Sequence, residues 1–153
     1  MLVKDYDLNF TFEMNDDFTE ISKDKYSVFG VDDDTLHYFL YLDENSQEYP
    51  FALVKGKKAD SVEAYEKIIL DEVEEFKKLY GDAEVSDVFT IEPQGGRRVD
   101  RVSIDFNDGG YMSVVYFTLV HGYVVSASTC ILEDADNYEG NLYSIMSSIK
   151  EVE

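Results

Sequence analysis

All three arginines of the chain lie close together, at Arg97, Arg98 and Arg101, in a protein dominated by acidic side chains. A guanidinium group presents a rigid fork of N–H donors that matches the geometry of a carboxylate or a phosphate. We therefore predict that these arginines are a docking point for an acidic group on a partner. The alternative is that they pair with carboxylates of the same chain. Gly95 and Gly96 do not make a phosphate-binding loop, because no Lys-Ser or Lys-Thr pair follows them.

His37 and His121 are the only histidines. In an extended strand His37 shares a face with Phe39 and Tyr41, and we predict that these three residues contact a protein partner. Neither histidine has a His, Cys or carboxylate at the spacing of a metal site. Either could act as a general base, but we interpret both as ordinary surface histidines.

Tyrosines outside the best core patterns are a further candidate contact surface. Tyrosine offers a large contact area with a polar tip and is enriched at protein interfaces. A rim of tyrosine and aspartate would suit a basic peptide or protein surface, and the alternative is that these rings cover sheet edges. The residues are Tyr41, Tyr49, Tyr111 and Tyr143.

Two acidic segments have the composition of cation sites, and we interpret both as turns. The three aspartates at residues 32–34 are adjacent, so in an extended chain their carboxylates point alternately to opposite sides. Residues 105–109 begin like a calcium-binding EF-hand loop, but Tyr116 stands at the twelfth position, where a bidentate Glu is required. We predict no metal site, no catalytic residue and no cofactor.

The chain carries 33 acidic against 13 basic side chains, a formal net charge of −20. Such a charge repels nucleic-acid phosphates and anionic lipids within a Debye length of about 8 Å at physiological salt. We therefore expect a protein partner with a basic surface, no nucleic-acid binding and no direct membrane insertion. The alternative is that acidity serves only solubility.

The length of 153 residues predicts a single globular domain spanning residues 1–153. The first residues do not resemble a signal peptide. We expect either a cytoplasmic protein or a secreted or cell-surface protein whose leader has been removed. The lone Cys130 cannot form an internal disulfide, and its apolar surroundings predict a buried, inert thiol.

The elements that must position these residues begin with strands. Alternation of apolar residues predicts a half-buried strand that places Leu8, Phe10, Phe12 and Met14 on one face. At residues 35–42 it predicts a strand with Leu36 on the same face as the other even-numbered residues. Further strands are predicted at residues 18–21, 26–31 and 51–55.

The period then changes to that of a helix between Val62 and Tyr80. Asp60 and Glu63 fit a capping box, and Gly81 suits the end of the helix. We predict an amphipathic helix of about twenty residues here.

The second half predicts a meander of strands at residues 83–91, 102–106, 111–120 and 123–132. Residues 107–110 and the pair His121-Gly122 predict tight turns. Asp136 with Glu139 caps a final helix, which places Tyr138, Leu142, Ile145, Met146 and Ile149 on one face. The fold class is therefore α+β: a mainly antiparallel β-sheet with one long central helix and a C-terminal helix packed on it.

This order of elements resembles the Mog1/PsbP-like fold family over nearly the whole chain. The likeness is carried by the opening strand at residues 8–12, the helix start at residues 60–65, the strand at residues 122–125 and the closing helix at residues 142–149. The resemblance implies an α/β/α sandwich. Because members are mostly non-enzymatic and many are bacterial, it also implies a non-catalytic bacterial protein. It assigns no functional residue.

These observations favour a non-catalytic, acidic protein-binding module, as expected of a bacterial member of that family. The alternative is an inhibitor or immunity-type protein that is steered onto a basic partner by its charge. A third hypothesis is a small ligand-binding or enzymatic domain with a pocket between sheet and helix.

Overall fold

The computed structural model describes residues 1–42, 48–94, 96–106, 112–129 and 135–153. Within these ranges the strands form two antiparallel sheets. The strands are β1 (Leu2–Asp5), β2 (Phe10–Glu13), β3 (Phe18–Glu20), β4 (Thr35–Leu42), β5 (Glu48–Lys58), β6 (Glu84–Val85), β7 (Phe89–Ile91), β8 (Val99–Asp105), β9 (Met112–Val120), β10 (Tyr123–Thr129) and β11 (Lys150–Glu151). The small sheet has the order β1-β2-β11. The eight-stranded sheet has the order β3-β4-β5-β10-β9-β8-β6, with β7 also paired to β8.

The described helices are α1 (Tyr26–Phe29), α2 (Val62–Leu79) and α3 (Ala135–Ser147). The two long ones, α2 and α3, lie on opposite faces of the eight-stranded sheet. Successive residues of β9 point to opposite faces. Phe117 packs in one core with residues of α2, whereas Tyr116 packs in a second core with residues of α3 and the small sheet. The predicted α+β class, the antiparallel sheet and both long helices are thus confirmed, and the small sheet shares a face with α3.

The segment at residues 26–31 was predicted as a strand, and this is wrong. The structure has a 3₁₀ turn at Lys23–Lys25 followed by α1, which ends at Gly30 with a φ of 67°. Glycine adopts this left-handed conformation without a steric penalty and so ends the helix. Tyr26 is buried whereas Val28 is exposed, so the apolar residues here do not form one strand face.

The predicted face of β4 is wrong at Leu36. A register shift between Thr35 and His37 interrupts the pairing of β4 with β5. Leu36 therefore packs in the same core as Phe39, whereas Tyr38 lies on the other side, against the ring of Phe29. A β-bulge of this kind shifts the alternation that a regular strand would show.

Several strands differ from the predictions. The pattern missed β1 and β11, which are short and pair with opposite edges of β2. The strand predicted at residues 83–91 is divided into β6 and β7. Between them the Ser86 hydroxyl accepts from the Ser103 backbone N–H at 2.9 Å, so a side chain replaces a ladder bond.

The N-cap of α2 is Ser61 and not the predicted Asp60. Ser61 is extended, with φ −149° and ψ 164°, and its side chain accepts from the backbone N–H of Ala64 at 3.1 Å. At the β9–β10 hairpin His121 and Gly122 have φ values of 47° and 78°, which confirms the predicted tight turn. The turn predicted at residues 107–110 and the thiol of Cys130 lie outside the described residues.

Candidate functional site

Arg98 belongs to a polar cluster beneath α2 that surrounds a buried aspartate, which we call the Asp100 cluster (Tyr65, Thr90, Arg98 and Asp100). The Asp100 side chain is completely buried. Its carboxylate accepts from the Tyr65 hydroxyl at 2.7 Å, from the Thr90 hydroxyl at 2.6 Å and from Arg98 Nε at 3.1 Å. Donors from three parts of the fold therefore satisfy one buried charge, which is the condition for burying it without a large penalty.

The electrostatics of this cluster keep the Tyr65 hydroxyl and the Arg98 guanidinium protonated. Burial raises the pKa of the Tyr65 hydroxyl and the bonded Asp100 carboxylate raises it further, so the hydroxyl stays a donor. Burial by itself lowers the pKa of Arg98, but its bonds to Glu66 and Asp100 outweigh this and raise it. Arg98 Nη1 donates to Glu66 at 2.9 Å. The cluster is a closed structural unit, and a partner carboxylate would have to displace Glu66.

Arg97 and Arg101 lie away from this cluster. Arg97 donates to the backbone carbonyls of Ile149 and Leu119, and its Nη2 lies 3.5 Å from Glu151. It thus ties the C-terminal segment to β9. Arg101 is half-buried on β8. Because it follows Asp100 directly in the strand, its side chain lies on the opposite face. The three arginines do not form one surface, and their docking role stays a prediction.

His37, Phe39 and Tyr41 lie on one face of β4 and point into the core between the two sheets. His37 is 7% exposed and Phe39 is 0% exposed, so Phe39 offers no surface that a partner could contact. Tyr41 is half-buried and packs against Phe18, with ring centroids 5.2 Å apart. The alternating pattern correctly grouped these residues, but it could not tell which face is covered.

A second polar cluster, the His37 cluster (Asp5, Glu20 and His37), lies where the small sheet meets the eight-stranded sheet. His37 Nδ1 lies 2.6 Å from Glu20 Oε1, and Nε2 lies 3.7 Å from Asp5 Oδ1. The ring packs edge-to-face against Phe12 and stacks on Phe39. Among the described residues, His37 Nε2 is a buried nitrogen with no hydrogen-bond partner. Sequence reasoning missed Asp5 and Glu20, because the pairing depends on tertiary structure.

A groove of about 800 Å³ separates α2 from the strands next to it. We call it the α2 groove. Its walls include Ile68 and Phe76 from α2 and Tyr80 just beyond the end of that helix. Its floor includes Val124 and Ser126 from β10. Pockets of this size, largely apolar with a few polar groups, are typical of small-molecule sites.

The outer face of α2 carries a line of residues at spacings of three and four, which we call the α2 stripe (Glu63, Glu66, Leu70 and Glu74). All four are exposed, Leu70 to 57%. A cavity of about 320 Å³ between α2 and β7 is lined by Glu66, Leu70 and Val88. The stripe therefore presents one apolar side chain among three carboxylates.

The lysines of α2 are engaged by acids of the same helix. Lys67 lies 3.3 Å from Asp71 and Lys77 lies 3.4 Å from Glu74. Lys78 forms a similar pair with Glu75 at 3.8 Å. Because the helix contains twice as many acids as lysines, its surface remains negative after this pairing.

Neither a group of metal ligands nor a membrane-spanning helix is found in the part of the chain that the structure describes. No group of three or more His, Cys, Asp or Glu side chains there could hold a metal ion. The aspartates at residues 32–34 are exposed. No described helix is both long and apolar enough to cross a membrane.

Comparison with solved structures identifies the fold. The crystal structure of the Saccharomyces cerevisiae Ran-binding protein Mog1p aligns with 100% of this chain and 95% of its own, with a TM-score of 0.58 and 13% identity. A mutant of the protein Mog1 aligns with 100% of this chain and 96% of its own, with a TM-score of 0.60 and 14% identity. The chain thus has the Mog1/PsbP-like fold, as its pattern of elements predicted. No protein-family model and no curated protein matches the chain.

Proposed function

We propose that this protein is a non-catalytic module that binds a protein partner with a basic surface. The observation that carries the proposal is the α2 stripe, where Leu70 is exposed among carboxylates. Two further facts support it. The structural neighbour Mog1p is described as a Ran-binding protein, and the chain carries no recognisable catalytic motif. We propose a bacterial origin for the chain, as its resemblance to the family implies.

The stripe combines the two features that a protein interface needs. An apolar side chain that becomes buried supplies affinity, at roughly 25 cal/mol per Å² of apolar surface. Carboxylates around it steer a basic partner and set its orientation more than they add affinity. A module with a net charge of −20 should therefore associate quickly, and the association rate should fall steeply with salt.

Site-specific photo-crosslinking tests this proposal. A photoreactive residue at position 70 should capture a specific protein with a basic surface in cells of the source organism. The adduct should not form when a cell lysate is irradiated at high salt, and it should not form in the variant Glu63→Gln/Glu74→Gln. The matched control Asp16→Asn/Asp17→Asn removes the same charge from another exposed segment and should leave the adduct intact. An adduct that is absent, or equally weakened by both variants, contradicts the proposal.

Ran is a defined probe for the same surface, because it is the partner named for the structural neighbour. Calorimetric titration of this protein into purified Ran tests whether the partner is shared. Binding that Leu70→Ser abolishes would support docking through the stripe. Binding that tolerates Leu70→Ser would place the Ran contact on another surface.

The immunity-type alternative makes a separate prediction, namely that the captured partner is a toxin whose basic active site this protein blocks. A ligand-binding function is a further candidate, because the α2 groove has the volume of a small-molecule pocket. Ligand screening by NMR separates these functions: shifts confined to Ile68, Phe76 and Val124 would favour a ligand, and shifts on the stripe would favour a protein.

A further inference from the structure

The imidazole of His37 lies between two carboxylates that belong to different sheets. Glu20 on β3 faces Nδ1 at 2.6 Å, and Asp5 on β1 faces Nε2 at 3.7 Å. The histidine side chain is 9% exposed and that of Asp5 is 4% exposed. The longer distance exceeds a hydrogen bond but remains a contact between charges. His37 is therefore one of the points at which the small sheet meets the eight-stranded sheet through ionisable groups. Another is Glu151 of β11, which lies 3.5 Å from Arg97 and 3.9 Å from His121.

Neutral imidazole fits this position poorly in both tautomers. A neutral ring carries one N–H and one lone pair. With the proton on Nδ1, which Glu20 requires as a donor, the lone pair of Nε2 faces the buried Asp5 carboxylate. With the proton on Nε2, a lone pair faces Glu20 at 2.6 Å. Only the doubly protonated ring presents a donor to each carboxylate.

The Asp5 carboxylate is held in its ionised form. One of its oxygens accepts from the backbone N–H of Asp7 at 3.1 Å, and the other accepts from that of Leu8 at 3.4 Å. Burial alone raises the pKa of Asp5, but His37 and these backbone donors outweigh it, so the pKa is lowered. A fixed negative charge thus stands opposite His37 Nε2.

The other charged and titratable groups around His37 are consistent with a bound proton. A cavity of about 250 Å³ beside the ring is lined by Lys4, Tyr6, Asp7, Lys23 and Tyr26 as well as by the cluster itself. Lys23 pairs with Asp7 at 3.6 Å. Burial raises the pKa of Tyr26, so its hydroxyl stays neutral. Three carboxylates and two ammonium groups leave one negative charge, which an imidazolium neutralises.

We propose that His37 binds a proton which joins the two sheets, with the imidazolium linking Asp5 of β1 to Glu20 of β3. Loss of this proton leaves the buried Asp5 charge without a counterion, so β1 and β2 separate more readily from the eight-stranded sheet. We call this protonation-dependent contact between the two sheets the joint. It is distinct from the α2 stripe, which lies on the other face of the eight-stranded sheet.

The sign of the pH dependence follows from the two pKa directions. Burial alone lowers the pKa of His37, but Asp5 and Glu20 outweigh it and raise the pKa above the ordinary value of 6.5. The joint is therefore fully formed below pH 6.5 and is lost as the pH rises through the raised pKa. Asp5 has a lowered pKa, so its contribution is present above its ordinary value of 3.8 and is lost as the pH falls through the lowered pKa.

Because the chain has two histidines, NMR can observe the joint directly. In the variant His121→Gln the remaining ring signals belong to His37. Both ring nitrogens of His37 should carry protons below pH 6.5, and the titration midpoint should lie above 6.5. Glu20→Gln should move this midpoint to lower pH, because it removes one of the two carboxylates. A ring that is neutral below pH 6.5, or a midpoint at or below the ordinary value, overturns the proposal.

Hydrogen exchange tests the mechanical consequence. In the wild type the amides of β1 and β2 should exchange faster as the pH rises through the His37 titration, after correction for the intrinsic rate, whereas those of β9 and β10 should not. His37→Gln should abolish this pH-dependent step. His121→Gln removes the other ring that contacts the small sheet, at Glu151 of β11, and should retain the step. If His37→Gln does not fold, the Glu20→Gln variant should instead shift the step to lower pH. A step that is unchanged in these variants contradicts the proposal.

Discussion

The Asp100 cluster and the His37 cluster lie on opposite faces of the same sheet and differ in how completely their buried polar atoms are hydrogen-bonded. Three donors surround the carboxylate of Asp100 at 2.6–3.1 Å. In the His37 cluster the corresponding contact between His37 Nε2 and Asp5 is 3.7 Å long. The donors around Asp100 enclose its carboxylate, whereas the His37 ring is not fully hydrogen-bonded, and histidine is the side chain whose charge responds to pH near neutrality. The comparison indicates which buried charge is structural and which can act as a switch.

The largest expected effect is that of Asp100→Ala. The substitution leaves the Tyr65 and Thr90 hydroxyls without their acceptor and should lower the free energy of unfolding by about 3 kcal/mol. Urea denaturation followed by circular dichroism measures this loss. Asp87→Ala, an exposed acid in the same part of the chain, is the control and should change stability by less than about 0.5 kcal/mol. Equal losses in both variants would mean that Asp100 is not the centre of a closed cluster.

Tyr65→Phe removes one donor and should have a smaller effect, because Thr90 and Arg98 still satisfy Asp100. We expect a loss of about 1.5 kcal/mol. The loss should be nearly independent of pH between the ordinary pKa values of Asp and Tyr, since the raised pKa of Tyr65 keeps the hydroxyl protonated. Denaturation of wild type and variant at several pH values checks this. A difference that disappears above neutral pH would show that Tyr65 ionises, so that the cluster is open.

The sequence could predict the local part of this comparison and not the tertiary part. Periodicity predicted α2, so it also predicted that Tyr65 faces the sheet. Arg98 and Asp100 alternate onto one strand face, and pairing of the arginines with nearby carboxylates was one of the two interpretations. The partners of His37 come from β1 and β3. No local pattern predicts that the short strand β1 pairs with β2. The bulge at Leu36 is likewise a product of strand pairing.

The choice of contact surface shows a second limit of sequence reasoning. His37, Phe39 and Tyr41 were correctly assigned to one face, but alternation is the same whether a face meets solvent or a second sheet. The small sheet that covers them contains residues from both ends of the chain. By contrast, exposure of Leu70 could have been read from the helical pattern, since this residue falls outside the apolar stripe of α2.

The smallest expected effect concerns the start of the helix that carries Tyr65 into the Asp100 cluster. Ser61→Ala removes the hydroxyl that accepts from the Ala64 N–H and should cost about 1 kcal/mol. Asp60→Ala is the matched control, because Asp60 is exposed and its only described ion pair is the 3.9 Å contact with Lys58. We expect a change within about 0.5 kcal/mol for the control. The cost of Ser61→Ala should also persist in a Tyr65→Phe background, because the cap and the hydroxyl stabilise α2 through separate bonds. If Asp60→Ala were instead the costlier change, the cap would belong to Asp60, and α2 would begin one residue earlier than the geometry of Ser61 indicates.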